Sequence, residues 1–124
     1  MQVNVLKKVY CRVFQTGMRL ALPFLPYREP QLIHGVGGVA EVLRSHDIGC
    51  VMLVTDAGVH GLGLTAHLEA LLKAAGIRCV VYDRTVANPT VANVEEARAL
   101  YLEQGCQGLF AFGGGSSMDC AKAL

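Results

Sequence analysis

The sequence is short of charge. Only 17% of its 124 residues are Asp, Glu, Lys or Arg, while 52% are apolar; an ordinary globular chain has about 25% charged residues. Disorder is excluded and a generous core is implied. Neither sign of charge is in excess, with eleven Lys plus Arg against ten Asp plus Glu, and no basic block could neutralise a run of phosphates. Nucleic acid is therefore not an expected partner. There is no CxxC pair, and the five cysteines, at 11, 50, 79, 106 and 120, are odd in number. A disulfide framework and a zinc knuckle are both disfavoured, and a reducing, cytoplasmic compartment is expected. No stretch approaches the ~18 apolar residues of a membrane-spanning helix. The G-x-x-x-x-G-K-[ST] signature is missing, so a kinase or NTPase phosphate loop is not supported. The histidines at 34, 46, 60 and 67 make no metal set: His60 and His67 would stand two turns, about 10 Å, apart even on one helix. No Ser-His-Asp or Cys-His arrangement can be assembled.

What is present begins with a leader, residues 1–26. Val3, Leu6, Val9, Tyr10, Val13 and Phe14 recur at three- and four-residue spacing, which predicts an amphipathic helix. Its polar face carries Lys7, Lys8, Arg12 and Arg19, which would suit an anionic membrane surface. Docking on another part of the same protein explains the stripe too, and is the preferred expectation. The Pro-rich stretch Leu22 to Pro30 cannot be a regular helix or central strand.

Residues 27–124 then alternate. Predicted strands are Gln31 to His34, Cys50 to Thr55, Cys79 to Tyr82 and Gly108 to Phe112; the last three are nearly unbroken apolar runs, as in strands buried on both faces. Between them, Val39 to Ser45, Leu64 to Ala75 and Val91 to Gln104 have helical spacing, with Gly76 and Gly105 as C-terminal stops. The units suit right-handed βαβ crossovers, so the fold class is α/β: an open, doubly wound, mostly parallel sheet. A last helix opening at Ser116 would have nine residues to Leu124 and no stop signal. That end, in Ala121-Lys122-Ala123-Leu124 rather than a polar linker, leads to the expectation that the chain is the N-terminal part of a longer one.

The strongest chemical signal is Phe110-Ala111-Phe112-Gly113-Gly114-Gly115-Ser116-Ser117-Met118-Asp119, an apolar strand running into three glycines and a helix start. Ser116 and Asp119 have the S-x-x-D spacing of a capping box. Residues without Cβ let a ligand approach the backbone, and the N–H groups of the first helical turn favour an anion such as a pyrophosphate. A tight turn would need only one glycine. A rival lies at Gly35-Val36-Gly37-Gly38-Val39-Ala40, a G-x-G-x-x-A with Asp56 about 20 residues on, as a dinucleotide fingerprint requires. The strand before it would be only four residues long and would start directly after Pro30. Asp56 closes the strand Val51 to Thr55, where it could accept both ribose hydroxyls of an adenosine or simply cap a helix. Asn88-Pro89-Thr90 is either a turn or an amide reaching a nucleotide.

Taken together, Val54-Thr55-Asp56, Val86-Ala87-Asn88-Pro89-Thr90 and Gly113-Gly114-Gly115-Ser116 with Asp119 and Ala121-Lys122-Ala123 resemble the iron-containing (group III) alcohol dehydrogenases. The resemblance covers the chain from about Tyr27; the leader lies outside it. It implies a Rossmann-like dinucleotide-binding domain, followed in the family by an all-helical domain whose Asp and three His hold the metal with none of those ligands here. It further implies that Gly113, Gly114, Gly115 and Ser116 bind the pyrophosphate, Asp56 the adenosine ribose and Asn88 the nucleotide side of the cleft, with Asp119 part of the same cofactor motif. Gly35 and Gly37 then only lead into the first helix. The implied reaction is hydride transfer between an alcohol or aldehyde and NAD, with NADP disfavoured by Asp56. A divalent metal, iron in the family, would sit outside this sequence, which alone would be inactive and in the complete protein would form a homo-oligomer. Two alternatives stay open: a nucleotide-binding module or inactive fragment without catalysis, and a relative resembling glycerol dehydrogenase or dehydroquinate synthase.

Overall fold

The computed structural model describes residues 5–26 and 28–124. Val3 and Tyr27, one expected in the leader helix and the other at the start of the α/β region, lie outside the described residues. The chain divides into two compact units, Met1–Leu32 and Ile33–Leu124. In the first, the apolar stripe forms helix α1 (Val5–Ala21), none of whose residues is buried. A 3-10 turn, Leu22–Phe24, follows where Pro23 stops the helix.

The second unit starts without a strand. Gln31 to His34 were expected to pair, but they have no regular secondary structure. Directly after Pro30, which has no N–H to donate to a ladder, the segment finds no partner strand among the described residues. Gly35 (φ 76°) instead turns the chain into the 3-10 segment Val36–Gly38 and helix α2 (Val39–Ser45). The rival fingerprint therefore has its helix but not its strand, and it builds no βαβ unit.

Three strands follow: β1 (Cys50–Val54), β2 (Arg78–Tyr82) and β3 (Gly108–Ala111), all parallel, in the order β2-β1-β3. Helices α3 (Ala57–Gly61) and α4 (Ala66–Ala74) connect β1 to β2, α5 (Val91–Glu103) connects β2 to β3, and α6 (Gly115–Ala123) follows β3. The five residues of β1 are all buried. Period two sends Cys50, Met52 and Val54 to one face, against Ala97 of α5 and Cys120 of α6, and Val51 and Leu53 to the other, against α2 and Leu68 and Leu72 of α4. Helices on both faces make the sheet doubly wound, as expected. Only β1 is buried on both faces, however; β2 and β3 are half-exposed because each borders the three-stranded sheet.

The predicted helix stops hold. Gly76 (φ 75°) and Gly105 (φ 63°) take the left-handed conformation just past α4 and α5. Gly76 N–H donates to the Lys73 carbonyl and Ile77 N–H to that of Leu72, and Gly105 and Cys106 repeat the pattern on Leu102 and Tyr101. These bonds satisfy carbonyls that would otherwise be orphaned.

Candidate functional site

The strand order sets the site. From β1 the chain leaves through α4 on one face, and from β3 it leaves through α6 on the other. The C-terminal ends of β1 and β3 therefore stand at the reversal of chain direction, the position where open α/β sheets receive ligands. Asp56 stands two residues beyond β1 and Gly113 two residues beyond β3.

Asp56 fulfils its simpler role: it is the N-cap of α3, and its Oδ1 accepts from Val59 N–H at 2.9 Å. Its other oxygen turns to the glycines. A Cβ at Gly113 would lie 3.5 Å from Asp56 Oδ2 and 3.0 Å from Ser117 Oγ, and the φ of Gly113 is 137°. That conformation strains any residue with a Cβ, and the spacing crowds it, so glycine is strongly favoured. Beside it, Gly114 and Gly115 face open space, so the loop has one glycine required by its backbone and two that leave room. Asn88 forms the turn before α5, exposed and left-handed at φ 54°.

The capping box is not formed. Helix α6 starts at Gly115 with Gly114 as N-cap and no side-chain cap bond, so Ser116 is its second residue and Asp119 its fifth. The backbone is already turned by Gly113, and the helix begins before Ser116 can cap it. Ser116 is half-buried, whereas Asp119 is exposed. The early start leaves the first-turn N–H groups without a side-chain acceptor.

Sequence reasoning overlooked three hydroxyls. Thr55, Thr85 and Ser117 are buried, and their Oγ atoms have no hydrogen-bond partner. Thr55 N–H donates to the Tyr82 carbonyl and Thr85 N–H to that of Thr55, which ties the ends of β1 and β2 together. Each of the three follows a strand end or opens a helix, the one signal that marked them. Buried hydroxyls left unpaired are costly, and Ser117 Oγ is the one set against the glycine loop, 3.0 Å from a Cβ at Gly113. The open space at Gly114 and Gly115, ahead of the first turn of α6, fits a phosphorylated nucleotide.

Neighbouring charges are mostly committed. Arg84 forms a backbone bridge with Asp56, but its guanidinium pairs with Glu96 at 2.6 Å and lies over the Tyr82 ring. His60 Nδ1 meets Asp83 Oδ2 at 2.8 Å, with Glu69 Oε1 3.7 Å from Nε2. Among the described residues no three of His, Cys, Asp or Glu are grouped to hold a metal ion. Burial, reinforced by a hydrogen bond to Glu96, pushes the Tyr82 hydroxyl up to about 12.

Residues 30–124 match the family described as iron-containing alcohol dehydrogenase. The chain belongs to that family. It is 47% identical over 96 residues to the 4-hydroxybutyrate dehydrogenase of Cupriavidus necator, covering 74% of this chain and 25% of that protein. It is 38% identical over 105 residues to the choline dehydrogenase of Bacillus subtilis, covering 82% and 26%. The crystal structure of a 1,3-propanediol oxidoreductase superposes with a TM-score of 0.67 at 30% identity, over 70% of this chain and 23% of that one. The chain thus spans about a quarter of the length of these iron-containing alcohol dehydrogenase relatives.

Proposed function

We propose that residues 27–124 are the cofactor-binding part of an NAD-dependent alcohol dehydrogenase, which transfers hydride between an alcohol or aldehyde and nicotinamide. The observation that carries this reading is Gly113, held between Asp56 Oδ2 and Ser117 Oγ where the chain leaves β1 and β3 toward opposite faces. The N–H groups of Gly115 and Ser116 take the pyrophosphate at the positive end of α6. The free oxygen of Asp56 accepts from the adenosine ribose while Oδ1 keeps the cap, and Asn88 flanks the nucleotide side of the cleft. When bound, NAD supplies the hydride acceptor; this segment binds and orients it. Family membership supports the oxidoreductase class, and the names of the relatives span several hydroxyl compounds. The complete enzyme would use iron and work as a cytoplasmic homo-oligomer.

Calorimetric titration of the chain with NAD is the test. Gly114 has an ordinary extended backbone (φ −84°, ψ −169°) and open space around it, so Gly114→Val leaves the fold intact and removes binding by filling the cradle. Unchanged affinity in a folded Gly114→Val chain would place the phosphate elsewhere.

A further inference from the structure

Helix α1 divides its side chains in a way the nucleotide site does not use. At about 100° per residue, Val5, Val9, Tyr10, Val13, Phe14 and Leu20 occupy one half of its circumference and Lys7, Lys8, Arg12 and Arg19 the other. The six apolar residues are between 55% and 73% exposed, and Tyr10 and Phe14 stack at a centroid distance of 6.4 Å. Lys7 and Arg12 border the apolar half on its two sides, where their stems can lie along an apolar phase while the charges reach out of it.

The charge is as segregated as the hydrophobicity. Residues 1–28 hold five Lys or Arg and no Asp or Glu, whereas residues 29–124 hold six Lys or Arg and ten Asp or Glu. Two copies of so cationic a helix repel when laid side by side. No helix among the described residues is long and apolar enough to cross a membrane, and seventeen residues reach only about 25 Å. We infer that α1 is an interfacial anchor that lies in the headgroup plane of an anionic lipid bilayer, its apolar half sunk toward the acyl chains and its basic half paired with lipid phosphates.

The experiment is flotation of the 124-residue chain with vesicles of phosphatidylcholine alone and of phosphatidylcholine and phosphatidylglycerol in equal amounts. The chain is expected to float with the mixed vesicles, with affinity at least about tenfold above that for phosphatidylcholine alone, and to be released as salt is raised. Val13→Glu, at the centre of the apolar half, abolishes flotation without lowering the melting temperature; Lys8→Glu with Arg12→Glu weakens it. Equal flotation with both vesicle types, or a Val13→Glu chain that floats like the parent, overturns the proposal. So does a parent that stays unbound while Val13→Glu either lowers the melting temperature or turns a dimer into a monomer, since the face would then cover the chain itself or a second copy.

Discussion

At the residue scale the site rests on the different tasks of adjacent glycines. Gly113 is fixed by its backbone, with φ at 137° and a neighbouring hydroxyl 3.0 Å from any Cβ. Gly113→Ala should cost about 1–3 kcal/mol of stability, read as a lower midpoint in urea, whereas Gly114→Val loses NAD at nearly unchanged stability. Asp56 also separates two tasks. Asp56→Asn keeps an oxygen for Val59 N–H and so keeps the cap, but loses the charge. A 2′-phosphate brings about two negative charges toward that carboxylate, and Arg84, whose backbone bridges to Asp56, is engaged by Glu96. The parent chain should therefore bind NAD at least about tenfold more tightly than NADP, or about 1.4 kcal/mol. Asp56→Asn should narrow that ratio and Asp56→Gly should erase it, as measured by titrating each variant with both nucleotides. A ratio indifferent to both substitutions would leave Asp56 as a cap only.

At the scale of elements, β2 and α5 are joined by a polar knot. The Tyr82 hydroxyl donates to Glu96 at 2.9 Å and accepts from Asn93 Nδ2 at 2.5 Å, and Asn93 also donates to the Arg84 carbonyl. Tyr82→Phe strands part of this buried network and should cost about 1–3 kcal/mol, seen in thermal unfolding. Tyr82, with two cysteines in and beyond these elements, also sets how stability depends on pH. Burial raises Cys79 and Cys106 from 9.0 to about 11, and Tyr82 from 10.0 to about 12. Each holds its proton more tightly folded than unfolded, so the unfolded chain releases protons first as pH rises. Their contribution is whole below pH 9 and is lost progressively from pH 9 to about 12. The melting temperature should fall across that window, and Tyr82→Phe should flatten its upper part.

At the scale of the molecule, the low charge content has a visible consequence. Among the described residues β3 pairs only with β1, which leaves its other edge open, and Leu109 on it is 40% exposed. An unpaired, apolar edge invites association. The chain should bind a hydrophobic dye and sediment as more than a monomer, and Leu109→Lys should reduce both at a cost of less than about 1 kcal/mol. A sharp, dye-negative monomer in the parent would remove this explanation.

The linear pattern determined β1, β2 and β3 to within one or two residues, because long apolar runs in one register have few places to go. It determined the stops at Gly76 and Gly105 and the GGGS loop for similarly local reasons: each depends on conformations a few residues govern. It misjudged Gln31 to His34, where a short segment without a partner strand stays irregular, and Ser116, where the helix start depended on how Gly113 left the sheet. Only the tertiary structure decided that Asp56 and Gly113, 57 residues apart, lie side by side, and that the Thr55, Thr85 and Ser117 hydroxyls are buried without partners. Strand order and crossover direction bring those atoms together, and neither is written in the periodicity of any one segment.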